Sequence, residues 1–283
     1  MLSLGWKKKC SWGLGLCLSV VGLMGNAHAQ QTEDIYQNGF ERFVPGKLND
    51  TGQNWCASAT TLNLLCPQAG FPDQDGDHGR DALARNGQLV KIGGGDAGFD
   101  YTKISNAGDP LPASAALGIG ANDWACTRDN MSGLIWEVKT NNPANLRHMS
   151  HSYTWYDTNS AINGGVPGIV GTSGTCNSTL VQCNTSAFVA AVNAQGLCGF
   201  NDWRMPKLYE LMGIVHYGRA VAPLIDPAYF VNTAATGNAR SVWSGRNHAP
   251  VASVAWDVDF SFGHVGGDFK SDVNGVRLVR AGQ

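Results

Sequence analysis

Six cysteines constrain this chain more tightly than any other feature: Cys56, Cys66, Cys126, Cys176, Cys183 and Cys198. An even set in an exported chain reads as disulfides, because an oxidising compartment keeps thiols paired. Short loops favour Cys56–Cys66 and Cys176–Cys183, which leaves Cys126–Cys198. That third bridge closes a long loop, where a cross-link removes most entropy from the unfolded chain. The rival use of cysteine is a metal site. No C-x-x-C pair occurs and no His stands at ligand spacing beside a Cys, so structural zinc is disfavoured.

Export is read from the first residues. Lys7, Lys8 and Lys9 form a basic start, Cys10 to Met24 a short apolar run, and Ala27-His28-Ala29 a small-x-small cleavage site. The mature chain is expected to begin at Gln30. The apolar run is too short to span a bilayer comfortably. No Cys stands at the cleavage point, which argues against a lipoprotein. No second apolar run approaches spanning length, so no membrane span is expected after cleavage. The expected location is the periplasm, the cell surface or the medium.

Removing the signal changes the charge. The chain holds 20 Lys+Arg and 22 Asp+Glu; without the three signal lysines the balance is 17 against 22, or −5. Residues 30–198 carry 9 basic and 15 acidic residues, residues 199–283 carry 8 and 7. Nucleic acid is disfavoured as a partner, since phosphate binding needs a concentrated basic surface.

Residues 1–29 are thus a signal peptide. Residues 30–50 form a polar leader, 51–125 a loop-rich N-terminal region, and 126–283 a more regular domain. Leu134 to Thr140 alternates, with Leu134, Trp136 and Val138 on one face and Glu137 and Lys139 on the other, as in a half-buried strand. Ser186 to Gln195 reads as a helix, capped by Asn184 or Thr185 and ended by Gly196. Pro206 opens a second helix, Lys207 to Val215. Trp256, Val258, Phe260 and Phe262 alternate with Asp257, Asp259 and Ser261 as a strand. Val276 to Arg280 makes a short last strand.

Five blocks recur in a fixed order. They are Ser132-Gly133-Leu134-Ile135-Trp136; Cys198 with Asp202-Trp203-Arg204-Met205-Pro206; Ser241-Val242-Trp243-Ser244; Ala255-Trp256-Asp257-Val258-Asp259-Phe260; and Gly275-Val276-Arg277-Leu278-Val279-Arg280. Together they resemble the Lcl C-terminal domain family, named after the C-terminal domain of a bacterial collagen-like adhesin. The resemblance implies an α+β, C-type-lectin-like domain: a twisted antiparallel sheet with two flanking helices and long disulfide-tied loops. It is similar to the formylglycine-generating enzyme superfamily too, which depends on a reactive cysteine pair near its C-terminal end. No Cys follows Cys198, so that activity is not expected. Two departures stand out. No collagen-type Gly-X-Y run is present, and Lys207 stands where the family usually has Thr or Asn. Glu210 is kept but the hydroxyl or amide cap is missing, so this helix start is expected to be weaker.

Trp203 is expected in the core, with Arg204 paired to Asp202 or to carbonyls at a buried turn. Trp136, Trp243 and Trp256 are likewise read as core. Trp155 and Tyr156 precede a Gly-rich loop, Asn163 to Gly174, and are candidates for stacking on sugar rings. Arg240, Arg246, Asn247 and His248 offer hydrogen bonds to a sugar near a strand end; an ordinary polar loop is the simpler reading. Asp73, Asp75, Asp77 and Asp81 crowd one short segment, which suggests calcium. An EF-hand, however, needs Gly where His78 stands and Glu where Ala84 stands, so a solvated acidic turn competes. No other cofactor is expected.

No G-x-S-x-G, H-E-x-x-H or P-loop pattern occurs, so enzyme chemistry is not expected. The resemblance implies a non-catalytic module for adhesion, because the named relative's domain binds sulfated glycosaminoglycans. The expected partner is an extracellular glycan or a surface protein. The competing reading is a structural or protein-interaction component of a cell-envelope or pilus-like assembly. Heparin-like chains fit a chain of this charge only if cations such as Arg204, Lys207, Arg219, Arg240 and Arg246 gather on one face.

Overall fold

The computed structural model describes residues 48–282. The signal peptide and the leader up to Lys47 lie outside the described residues. Among the described residues there are ten strands and three α-helices: β1 Tyr101–Ser105, β2 Pro110–Leu111, β3 Trp124–Asp129, β4 Leu134–Glu137, β5 Tyr153–Thr154, β6 Ser241–Asn247, β7 Val254–Asp259, β8 His264–Phe269, β9 Val273–Asn274 and β10 Val279–Ala281. The helices are α1 Gly79–Arg85, α2 Thr185–Gln195 and α3 Leu208–Met212. A five-stranded antiparallel sheet runs β10-β4-β3-β1-β2, a three-stranded one β6-β7-β8, and β5 pairs with β9. The protein is therefore mixed α/β, with antiparallel sheets, few helices and three disulfides.

The bridges are Cys56–Cys66, Cys126–Cys198 and Cys176–Cys183, with Cα separations of 5.1, 6.5 and 5.7 Å. These pairings match those read from loop length. Cys126 and Cys198 sit in one core cluster with Trp155, Phe188, Trp203 and Trp243. A second cluster gathers Phe99, Tyr101, Trp136, Phe230, Val258 and Phe260.

α2 begins and ends as expected. The Asn184 side chain accepts the Ala187 N–H, and Gly196 closes the helix in the left-handed region at φ 64°. α3 is shorter than expected. Without a hydroxyl or amide at Lys207, only half of the capping box forms: Glu210 Oε2 accepts the Lys207 N–H at 2.7 Å.

Three strand readings need correction. β4 stops at Glu137 and is not half-exposed. It lies between β3 and β10, so Glu137 and Lys139 turn inward and form a buried ion pair of 2.7 Å. β7 ends at Asp259, and Phe262 falls in a turn where it is 68% exposed. Trp256 is half-buried against the His248 ring, 4.2 Å between centroids, while Asp257 and Asp259 are buried along with Ala255 and Val258. The last strand is Val279–Ala281, with Val276 and Leu278 leading into it as core residues. Among the described residues, no helix is long and apolar enough to cross a membrane.

Candidate functional site

A cleft of about 390 Å³ opens where β5, α2, the Arg204–Lys207 segment and β6 meet. Local hydrogen bonds build its walls. The Thr185 hydroxyl takes the Tyr156 N–H at 2.9 Å and donates to the Tyr156 carbonyl at 2.8 Å; the Ser186 hydroxyl donates there too, at 2.6 Å. These bonds fasten Tyr156 to the start of α2. Opposite, the Gly245 N–H donates to the Pro206 carbonyl at 2.7 Å, which joins β6 to the signature turn. Trp155 lies beneath, its indole N–H donating to the Ser244 carbonyl at 2.9 Å and the Lys270 ammonium 4.4 Å from its ring.

The lining is apolar at Ile162, Val189, Ala190, Met205 and Pro206, cationic at Arg204, Lys207 and Arg246, and acidic at Asp157. Arg204 reaches the cleft while clamping Glu210, with guanidinium–carboxylate distances of 2.8 and 2.7 Å. Of the two expected partners, Asp202 or a carbonyl of the turn, the carbonyl is found: Arg204 also donates to the Met205 carbonyl at 3.1 Å. Asp202 instead receives Arg280, at 2.6 and 3.1 Å, and that contact holds its carboxyl below the usual range. Trp203 is core, its indole donating to the Leu197 carbonyl at 3.0 Å.

The candidate sugar-binding residues divide. Tyr156 and Arg246 line the cleft. Trp155 also borders it but is only 1% exposed, so it forms a floor and offers no open stacking face. Trp155 is buried because β5 carries it under the loop: an added Cβ at Gly168 would come within 2.1 Å of its carbonyl. Asn247 donates to the His248 carbonyl at 2.8 Å and the His248 ring packs at a tilt against Trp256; neither lines the cleft. Arg240 belongs to a separate polar cleft and pairs with Asp259 at 2.9 Å. Arg219 donates to the Pro223 carbonyl at 3.1 Å and lies outside the cleft lining. Asp157, Thr185 and Ser186 were not singled out as site residues. Thr185 and Ser186 open a helix, the one sequence signal that could have marked them.

The acidic segment also rearranges. Asp75 and Asp81 converge with Asp50, one oxygen each lying within 4.8 Å of the others. Asp73 and Asp77 do not join them: Asp73 stands in solvent near His78, and Asp77 lies beside the Cys56–Cys66 bridge. Asp81 accepts the backbone N–H groups of Gly52 at 2.8 Å and Gly98 at 2.6 Å, and Asp50 accepts that of Asp81 at 2.9 Å. Asp75 accepts the Thr51 hydroxyl. Burial, with Asp50 close by, pushes the Asp81 carboxyl up to about 6.

Residues 125–280 match the model of the Lcl C-terminal domain family, over half of the chain, and the chain belongs to that family. No curated protein and no solved structure matches it.

Proposed function

We propose that this protein is an exported, non-catalytic binding module that recognises an acidic surface carbohydrate, with a C-type-lectin-like domain as its scaffold. The observation that carries this reading is the convergence of Arg204, Lys207 and Arg246 on one apolar-walled cleft. The apolar wall suits the CH face of a sugar ring, and the cations suit its carboxylate or sulfate. The cleft needs no cation without a protein partner. Arg204 keeps Glu210 and still adds positive potential. The disulfides are compatible with an exported protein. Membership of a family named after an adhesin domain favours surface binding over catalysis.

A protein-interaction role within an envelope assembly is the second reading. What favours it is the outer edge of β8, which has no strand partner among the described residues and carries an exposed Phe269.

Binding to immobilised heparin and to a neutral-glycan panel, at low and physiological salt, separates the two. The acidic-glycan reading expects heparin retention that falls steeply with salt, because several ion contacts are screened together. No glycan binding at low salt would leave the assembly reading ahead.

A further inference from the structure

A second cleft, about 480 Å³, lies against the face of the three-stranded sheet and is lined by Arg240, Ser241, Asp268, Asp272 and Asn274 among others. Its chemistry is opposite to that of the first. The cation that lines it, Arg240, is engaged by Asp259 at 2.9 Å, and the other Asp259 oxygen accepts the Ser261 N–H at 2.7 Å. That leaves Asp268, Asp272 and, beneath them, Asp257.

Register places Asp257 under this cleft. In β7 it pairs across with Trp243 of β6 and Gly266 of β8. Ser241 pairs with Asp259 and Asp268 with Ala255, so Ser241, Asp257 and Asp268 share one face on successive diagonals. Ser241 and Asp268 line the cleft, and Asp257 lies between them on the same sheet face, behind the lining.

Asp257 is 3% exposed, and its Oδ2 has no hydrogen-bond partner. A buried carboxylate oxygen without a donor is unfavourable unless something else compensates it. The carboxyl packs closely against Gly266 of the neighbouring strand: a Cβ added there would lie 3.1 Å from both Asp257 oxygens, a tight contact. Neighbouring oxygen donors are the Asp268 carboxylate, the Ser241 hydroxyl and the Asn274 amide oxygen. Asn274 uses its NH₂ on Asp268 at 2.8 Å, which turns its carbonyl oxygen away from that bond.

We infer that Asp257 and Asp268, with Ser241 and Asn274, form a binding site for a hard divalent cation of the calcium type. Oxygen-only donors with two carboxylates suit such an ion, and water in the open cleft completes its shell. A bound cation would compensate the Asp257 oxygen that has no hydrogen-bond donor. The site differs from the Asp50–Asp75–Asp81 group, whose oxygens already accept backbone and hydroxyl donors.

Trp243, directly across from Asp257, makes terbium a direct probe. Tb³⁺ added to the full chain should luminesce when tryptophan is excited, and Ca²⁺ should quench that signal by competition. Millimolar Ca²⁺ should raise the melting temperature by roughly 5 °C over an EDTA control. Asp257→Asn should lose both effects while melting no lower than wild type in EDTA. Should Asp257→Asn fail to fold, Asp268→Asn serves instead, because it removes a ligand. Asp75→Asn should keep both effects. Absence of terbium emission together with an unmoved melting temperature would overturn the site. So would effects that survive Asp257→Asn.

Discussion

Two groups of aspartates show opposite solutions to the same electrostatic problem. In the first, Asp50, Asp75 and Asp81 meet, but the chain folds around them and supplies donors: the N–H groups of Thr51, Gly52, Asp81 and Gly98 and the Thr51 hydroxyl. In the second, Asp257 lies on the central strand β7, whose backbone groups are committed to β6 and β8, and one of its oxygens is left without a donor. Burial then pushes Asp257 up to about 7, with Asp268 and Asp259 adding to it. Acid density in the sequence therefore does not mark the open site. A loop can bend its own N–H groups onto a carboxylate, whereas a strand cannot.

The largest expected effect tests the closed group. Asp81→Ala strands the buried N–H groups of Gly52 and Gly98, and each loses its acceptor without gaining water. A loss of about 2–4 kcal/mol in denaturant unfolding is expected. A loss under ~1 kcal/mol would mean that Asp81 is a poised ligand more than a structural acceptor, and the contrast would fail.

Asp257→Asn should act in the other direction. The folded state holds its carboxyl proton up to about 7, against 3.8 for the ordinary group. Between those values the folded state binds the extra proton, so wild-type stability falls as pH rises through the window and the full penalty applies above it. The amide carries no charge to bury. In EDTA the variant should be more stable than wild type by about 1–3 kcal/mol at pH 8, and the gain should vanish towards pH 4. Calcium at pH 8 should erase most of the gain by stabilising wild type alone. A gain independent of pH would separate Asp257 from its titration.

What the sequence disclosed follows the same division. Local rules were readable: short loops named two of the disulfides and left the third as the remaining pair, and Asn184 and Gly196 fixed both ends of α2. The alternation of Leu134 to Lys139 identified a strand but mistook its setting, because period-two polarity assumes one wet face and β4 has neighbours and cover on both. The cleft was only partly legible. Tyr156 and Arg246 were singled out, and the family signature drew attention to Arg204. Their meeting depends on β6 packing against the signature turn through the Gly245–Pro206 bond, which joins residues about forty positions apart and leaves no local trace. Asp257 was hidden for a related reason. It reads as the outer member of an alternating strand, and nothing in the sequence says that β9 and its turn cover that face.

The smallest expected effect decides where the ion sits. Asp75 accepts the Thr51 hydroxyl at an exposed position, and its charge also helps to raise Asp81. Asp75→Asn weakens the first contribution and relieves the second, so the two changes oppose each other. Net stability should stay within ~0.5 kcal/mol of wild type, as for most exposed substitutions. The informative readout is the calcium-induced rise in melting temperature, which should match wild type because Asp75 lies outside the sheet cleft. If the rise disappears in Asp75→Asn and persists in Asp257→Asn, the loop group is the ion site after all. Its backbone donors would then have to give way when the metal enters, and the contrast between the two aspartate groups would be reversed.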